Sequence, residues 1–238
     1  MDQQHLSSAI KSFPLLGLFQ GIIYYSMVTI LMEFTPFSTL AISFLLWAFM
    51  IVLTGGIHLD GWMDASDAYF SYQDHDKRLE IMKDPRTGAF GVLSVIFILA
   101  AKFFFIYEIF ALHSNNTLYT ILLIPFLSKL GMGLLLQIPP AKQEGLAHMF
   151  HKSFSGQVFF IYPLYVSMIG AAWIGMAPNL LIHFFTMVVI TSGAYLFIRL
   201  KCKRWFSGMT GDVLGAAVEG IETILWMSVW LLHYFVMV

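Results

Sequence analysis

Apolar residues are grouped along the chain in seven long stretches, separated by polar segments. The stretches cover about residues 12–32, 36–59, 89–112, 117–138, 158–177, 179–198 and 213–238. A bilayer core about 30 Å thick needs about 20 consecutive apolar residues in a helix. The pattern therefore predicts an all-α fold, a polytopic transmembrane helical bundle with about seven spans. The whole chain, 1–238, is then a single integral membrane domain.

The polar segments between the stretches are of two kinds. Short segments at 113–116 and 177–179 are typical of tight turns between antiparallel helices. Long segments at about 60–88, 139–157 and 199–215 are predicted to carry the active-site loops. The first apolar run continues to spanning length without a small-residue cleavage site, so we expect a retained span rather than a signal peptide.

Composition agrees with a membrane protein and excludes other classes. Hydrophobic residues make up 58% of the chain and charged residues only 11%, with a mean hydropathy of +0.76. A soluble domain has about 25% charged residues, and a disordered chain needs low hydrophobicity. The net charge of −1 gives no sign of a nucleic-acid partner. The single cysteine, Cys202, excludes an internal disulfide.

The positions of Lys and Arg predict the orientation of the bundle. Eleven of the 13 basic residues lie on one side of the predicted spans, and the opposite loops have none. They are Lys11, Lys77, Arg78, Lys83, Arg86, Lys142, Lys152, Arg199, Lys201, Lys203 and Arg204. Because cytoplasmic loops are rich in Lys and Arg, we expect a cytoplasmic N-terminus and a multi-pass protein of the cell inner membrane. All three long loops then face the cytoplasm.

Acidic residues are concentrated where the second stretch ends. Asp60, Asp64 and Asp67 have i, i+4, i+7 spacing, which places their carboxylates on one face of a helix. A divalent cation would relieve their repulsion, and hard oxygen ligands suit Mg²⁺, or Mn²⁺ as a substitute. The alternative is a solvated acidic helix end. Nearby His58 is either a substrate contact, a partner of a ligand or an interfacial histidine.

Two further loop segments have the chemistry of a phosphate site. Lys83, Asp84 and Arg86 place two cations and an acid just before the third span, where they either bind phosphate oxygens or anchor the span. Thr210, Gly211 and Asp212 precede the last span, where free backbone amides favour an anion.

Several charged residues fall inside the predicted spans. They are Lys102, Glu108, Lys129, Glu219 and Glu222. Such residues are costly in lipid and usually face a bundle interior or a cavity. Lys129 either pairs with Glu219 or contacts a phosphate, and a purely structural ion pair is the alternative.

Three of these segments resemble the cobalamin-5′-phosphate synthase family, also called adenosylcobinamide-GDP ribazoletransferase. The segments read GGIHLDGWMDASDAYFS with RLEIMKDPRTGAFGVL (55–93), EGLAHMF (144–150) and GMTGDVLGAAVE (208–219). They follow the family's order and span nearly the whole chain. The chain departs from the family pattern at Pro85, where Ser is usual, and at Lys129, where Arg is usual.

The resemblance implies an Mg²⁺-dependent enzyme of the last step in corrinoid nucleotide-loop assembly. The implied partners are the small molecules adenosylcobinamide-GDP and α-ribazole (or its 5′-phosphate) and the lipid bilayer, with a homo-oligomer left open. Metal ligands are expected among Asp60, Asp64, Asp67 and Asp84. Asp64, Asp67, Lys83 and Arg86 are expected to be catalytic, with Asp64 or Asp67 as the base. Substrate contacts are expected from His58, Lys129, Thr210, Gly211, Asp212 and Glu219.

Two other functions remain compatible with the residues alone. A phosphotransferase that moves a CDP- or GDP-activated group to a lipid alcohol also uses an Asp-rich segment, although its usual Asp-Gly-x-x-Ala-Arg continuation is absent here. A cation-coupled transporter would use the intramembrane residues Lys102, Lys129, Glu219 and Glu222. The concentration of acids at the end of the second stretch favours an enzyme.

Overall fold

The computed structural model describes residues 3–112 and 118–236, and within them the chain forms ten α-helices and no β-strand. The helices are α1 (Gln3–Phe34), α2 (Thr39–Thr54), α3 (Ile57–Phe70), α4 (His75–Ile81), α5 (Ala89–Ala111), α6 (Thr120–Leu135), α7 (Gly145–Lys152), α8 (Val158–Met176), α9 (Leu181–Phe206) and α10 (Gly211–Val236). The predicted turn at 113–116 lies outside the described residues.

Long apolar helices confirm the all-α polytopic bundle. Among the described residues, five helices are long and apolar enough to cross a membrane: α1, α5, α8, α10, and α9 together with a short 3₁₀ turn, Pro178–Leu180. The other two predicted spans contain shorter helices, because α2 and α6 have 16 residues each. Sixteen residues rise only about 24 Å, which is less than a bilayer core.

The second predicted span ends at a glycine pair. Gly55 and Gly56 have φ angles of 63° and 72°, in the left-handed region that favours glycine. Their amides donate to the carbonyl oxygens of Val52 and Ile51, which ends α2. Helix α3 then leaves at 85° to α2. The predicted acidic helix therefore exists, but as a separate helix turned away from the span.

Helix α6 forms the centre of the bundle. All of its residues except Leu122 and Leu134 are buried, and it contacts α1, α9 and α10. Helix α1 approaches it at Gly17, where an added Cβ would lie 2.2 Å from the carbonyl oxygen of Pro125. Small residues permit such close packing of membrane helices. Protein rather than lipid surrounds α6, so its length does not have to match the bilayer.

Large apolar side chains cover the outside of the bundle. Examples are Val52, Phe97, Phe160, Val189 and Phe235, which are 68–82% exposed. A water-soluble protein rarely exposes so many large hydrophobic side chains. Together with the apolar helices, they show a multi-pass membrane protein.

The three long loops meet at one end of the bundle, which we call the charged face. It consists of α3, α4, α7 and the junction between α9 and α10. The amide of Ala141 donates to the carbonyl oxygen of Met209 at 2.9 Å, and the amide of Met209 donates to Pro139 at 3.0 Å. These bonds join the second loop to the third, directly before α10 begins.

Candidate active site

Helices α3 and α10 cross closely at the charged face. A Cβ added at Gly61 would lie 2.7 Å from the carbonyl oxygen of Asp212, and one added at Gly215 would lie 3.3 Å from the Cα of His58. A glycine is therefore required at position 61, and position 215 leaves little room for a side chain. The crossing brings Asp212, from the third loop, beside the aspartates of α3.

Asp60, Asp64 and Asp212 form what we call the acid cluster. Burial and the charges of Asp60, Asp212 and Asp67 raise the pKa of Asp64 to about 6. Within the described parts of the chain, the side chains of Asp60 and Asp64 have no hydrogen-bond or ion-pair partner. The cluster is thus a concentration of negative charge, and its two α3 carboxylates have no ion-pair partner among the described residues.

Asp67 has a different environment from the acid cluster. One carboxylate oxygen accepts a hydrogen bond from the amide of Gly88 at 2.6 Å, and the other accepts one from Gly91 at 2.7 Å. Both amides belong to the start of α5, where N–H groups have no partner within the helix. Asp67 therefore caps α5 and fixes it to α3. Each of its oxygens thus accepts one backbone N–H, and its expected roles as metal ligand and base stay predictions.

The chemistry of the acid cluster fits a hard divalent cation, since carboxylate oxygens are the ligands that Mg²⁺ prefers. Across residues 3–112 and 118–236, however, no group of three or more His, Cys, Asp or Glu side chains is placed so that it could hold a metal ion. The magnesium site therefore stays a prediction, with Asp212 as a further candidate ligand beside Asp60 and Asp64.

A cavity of about 250 Å³ brings all three loops together beside the cluster. Its wall includes Lys83 of the first loop, Lys142 and Glu144 of the second, and Thr210 and Asp212 of the third. The Thr210 hydroxyl accepts a hydrogen bond from the amide of Val213 at 3.1 Å, so Thr210 caps α10. Lys83 contacts Glu144 at 3.3 Å. These positions suit a phosphate group.

Asp84 and Arg86 are paired with each other. The Asp84 carboxylate accepts hydrogen bonds from the backbone amide and the guanidinium of Arg86, with a shortest distance of 2.6 Å. These bonds lower the pKa of Asp84 to about 2. Among the acids that act on Asp64, the structure places Asp60, Asp67 and Asp212 but not Asp84. The expected metal-ligand role of Asp84 and the catalytic role of Arg86 stay predictions.

His58 and Lys129 meet beneath the acid cluster. Lys129 is 3% exposed, and its Nζ lies 3.3 Å from Nε2 of His58. Lys129 belongs to α6 and His58 to the first turn of α3, so this contact connects the centre of the bundle with the acid-bearing helix. Lys129 therefore faces the imidazole of His58.

Glu219 has Lys102, rather than Lys129, as its ion-pair partner. Nζ of Lys102 lies 2.5 Å from Glu219 and 3.3 Å from Glu222. The hydroxyl of Ser128 donates to Glu222 at 3.0 Å. We call Lys102, Glu219, Glu222 and Ser128 the buried ion network; it joins α5, α6 and α10. Of the alternatives given by the sequence, this arrangement favours the structural ion pair for Glu219.

Helix α3 also carries three aromatic residues, Trp62, Tyr69 and Phe70. Trp62 lines an apolar cavity between α3, α9 and α10. The ring of Tyr69 packs against Trp205 at 4.9 Å, and that of Phe70 packs against Phe90 at 5.7 Å. Tyr69 and Phe70 therefore contact other aromatic side chains of the protein.

Sequence reasoning missed two features of this site. The first is Asp67 as the cap of α5; a Gly88 and Gly91 pair at the start of a predicted span was a usable signal. The second is the position of Lys142 in the cavity wall. In the sequence, Lys142 served only to predict the orientation of the spans. Both depend on contacts between distant segments.

Comparison with known proteins adds an independent finding. The family model described as cobalamin-5-phosphate synthase matches residues 1–230. The chain belongs to this family. It is 39% identical to the adenosylcobinamide-GDP ribazoletransferase of Geobacillus sp. (strain WCH70), covering 97% of this chain and 87% of that protein. Membership of the cobalamin-5-phosphate synthase family confirms the resemblance and makes the chain an enzyme, a transferase of cobalamin biosynthesis, rather than a transporter.

More distant relatives carry the same name. The adenosylcobinamide-GDP ribazoletransferase of Clostridioides difficile (strain 630) is 31% identical, with 95% of this chain and 88% of that protein covered. That of Escherichia coli (strain K12 / DH10B) is 32% identical, with 96% and 90% covered. No solved structure matches the chain.

Proposed function

We propose that this enzyme transfers adenosylcobinamide phosphate from adenosylcobinamide-GDP to α-ribazole or α-ribazole 5′-phosphate and releases GMP, with Mg²⁺ as the cofactor. The acid cluster carries this proposal. A displacement at phosphorus needs the charge of the diphosphate to be neutralised and the acceptor hydroxyl to be deprotonated. The neighbouring carboxylates of Asp60, Asp64 and Asp212 suit both tasks.

The candidate metal ligands are assigned from the surroundings of each carboxylate. Asp60 and Asp212 would hold Mg²⁺, Asp64 beside them would stay free to accept a proton, and Asp67 keeps α3 and α5 in place. A bound Mg²⁺ would neutralise the diphosphate and polarise its phosphorus–oxygen bonds. Asp84 is already neutralised by Arg86, so it ranks below Asp212 as a ligand.

The proton acceptor of the reaction is then Asp64. Asp67 receives two backbone N–H groups, whereas Asp64 is half-buried and has no hydrogen-bond partner in the described residues. Asp64 accepts the proton of the ribazole 3′-hydroxyl as the hydroxyl oxygen forms its bond to phosphorus. The phosphorus–oxygen bond to GMP breaks, and GMP leaves with its negative charge.

Cations on both sides of the acid cluster bind the phosphate groups. Lys83 and Lys142 line the cavity next to Thr210 and Gly211, and Lys129 lies beneath the cluster at His58. The cavity volume of about 250 Å³ is enough for a phosphate and its sugar rather than for a corrin ring. We assign this cavity to the phosphorylated end of a substrate.

The charged face is assigned to the cytoplasm. It holds the predicted active-site loops and ten of the eleven basic residues on their side of the spans, in agreement with the positive-inside rule. The charged diphosphate of adenosylcobinamide-GDP would reach the site from that compartment. The enzyme is accordingly a multi-pass protein of the cytoplasmic membrane.

The decisive experiment separates the base from the metal ligands. Purified protein is assayed for GMP release with adenosylcobinamide-GDP, α-ribazole and varied Mg²⁺. Asp64→Asn should lower kcat by at least about a hundredfold, the lower range for general-base catalysis. Asp60→Asn and Asp212→Asn should instead raise the Mg²⁺ concentration required for half-maximal rate.

Asp76→Asn is the matched control, because Asp76 is an exposed acid on α4 outside the acid cluster. It should behave as the unmodified protein. Full activity of Asp64→Asn would contradict its role as base. GMP release with a lipid alcohol but not with α-ribazole would replace the proposed reaction by that of an alcohol phosphotransferase.

A further inference from the structure

An apolar cavity of about 520 Å³ lies between α3, α9 and α10, outside the acid cluster. Its wall includes Trp62 and Ala65 of α3, Phe197 and Trp205 of α9, and Ala217 of α10. It extends along α9 from Ile190 to Phe206, which is a rise of about 24 Å. The cavity is therefore long and narrow, and it runs along the membrane-spanning part of the bundle.

The cavity opens toward the lipid. Phe197 and Ile224 in its wall are 52% and 40% exposed. They lie on α9 and α10, two helices that are long and apolar enough to span the membrane. Gly193 also lines the cavity, and an added Cβ there would have no atom within 4 Å. The opening thus admits a chain-like apolar group from the bilayer.

A lysine follows the same row of α9 as the cavity wall. Phe197, Lys201 and Trp205 have i, i+4, i+8 spacing, which places them on one side of the helix. Arg199, Lys203 and Arg204 add positive charge within the last two turns of α9, and this helix contains no Asp or Glu. An apolar cleft with cations at its charged-face end complements a lipid that has acyl chains and an anionic head group.

We infer that this cavity binds one anionic phospholipid, with an acyl chain between α3, α9 and α10 and its phosphate at Lys201. The lipid belongs to the leaflet on the charged-face side. It would support Trp62 and Ala65, the residues of α3 that flank Asp64 in the sequence. The inference is independent of the proposed reaction, because it rests on a different cavity and on binding alone.

Native mass spectrometry of the full chain tests this inference. The protein is purified from vesicles that contain equal amounts of phosphatidylglycerol and phosphatidylcholine, and the retained lipid is identified and counted. We expect one phosphatidylglycerol per chain to be retained in preference. Lys201→Gln should reduce its retention about fivefold, since a Lys near an anionic lipid contributes about 1 kcal/mol.

Two glycine substitutions distinguish the cavity from general lipid adhesion. Gly193→Leu would place a side chain in the cavity and should abolish retention of the lipid. Gly175→Leu is the matched control, because Gly175 of α8 has no atom within 4 Å of an added Cβ and is not part of the cavity wall. It should retain the lipid as the unmodified protein does.

Three results would overturn the inference. They are equal retention of phosphatidylcholine and phosphatidylglycerol, unchanged retention in Gly193→Leu, and unchanged retention in Lys201→Gln. The first result would contradict the preference for an anionic head group. The second would contradict binding in the cavity, and the third would contradict the position of the phosphate at Lys201. Each variant is measured at the same number of degrees below its own melting temperature, so that loss of folding is not mistaken for loss of lipid.

Discussion

Asp67 shows how one residue of a regular pattern can have a role of its own. Its spacing from Asp60 and Asp64 gives no reason to separate it from them. Its carboxylate nevertheless accepts two backbone N–H groups at the start of α5, whereas Asp64 has neighbouring carboxylates and no partner in the described residues. An aspartate therefore stabilises the fold at position 67, whereas at position 64 an aspartate is repelled by the neighbouring carboxylates.

Asp67→Asn should therefore lower stability, and Asp64→Asn should not. An Asn at 67 presents one amide N–H₂ toward a backbone donor and leaves that donor unpaired, which costs about 1–3 kcal/mol. At 64 the substitution removes repulsion, so the protein should be as stable or more stable without Mg²⁺. Thermal unfolding in detergent of the two variants, without added metal, measures the difference. Equal losses of stability would contradict the distinction.

At the scale of elements, the site depends on the crossing of α3 and α10. Gly61 and Gly215 let the two backbones approach, which places Asp212 beside Asp60 and Asp64. Neither helix alone carries the complete acid cluster. The charge repulsion of the cluster is therefore maintained by packing between the helices.

Gly61→Ala should move α3 away from α10 and lower GMP release by at least tenfold. The new Cβ would lie 2.7 Å from the backbone oxygen of Asp212, which cannot rotate aside as a side chain could. Gly175→Ala, in a helix with open space at this position, is the control and should retain activity. The assay measures kcat and the Mg²⁺ requirement of both variants. Normal values for Gly61→Ala would show that the close approach is not needed.

The sequence predicted those elements that depend on neighbouring residues better than those that depend on contacts between distant segments. Apolar stretches and the short polar turn at 177–179 identified helical spans because each depends on neighbouring residues. The break at Gly55 and Gly56 was missed, because the apolar pattern continues through it and only the left-handed backbone ends α2. The place of Asp212 beside α3 required the tertiary fold. The sequence indicated that the third loop belongs to the site, but it did not indicate that this loop packs against α3.

For the whole molecule, the buried ion network connects three helices around the centre of the bundle. Together with the neighbouring Lys129, whose charge acts on Glu219 and Glu222, the network contains two positive and two negative charges. The sequence located these charges within spans, but their pairing depends on how α5, α6 and α10 face one another. A balanced group of this kind can stay in a low-dielectric interior, while a single unpaired member cannot.

Lys102→Met should destabilise the bundle by about 3–5 kcal/mol, because it leaves Glu219 as an unpaired buried charge. The double variant Lys102→Met with Glu219→Gln should recover much of that loss, since Lys129 and Glu222 still balance each other. Unfolding measurements of both single variants and the double variant give the coupling between the two residues. Additive losses would show that the pair contributes no energy of its own.

The short, enclosed helix α6 has a consequence for biogenesis. Ribosomes deliver α6 to the translocon before α10 has been synthesised, so the carboxylates that balance Lys102 and Lys129 arrive last. Until then, a 16-residue segment with an ammonium group has neither the length nor the charge balance to settle alone in hydrocarbon. We therefore expect a chain that stops before α10 to insert α6 less efficiently than the full chain, because it lacks Glu219 and Glu222.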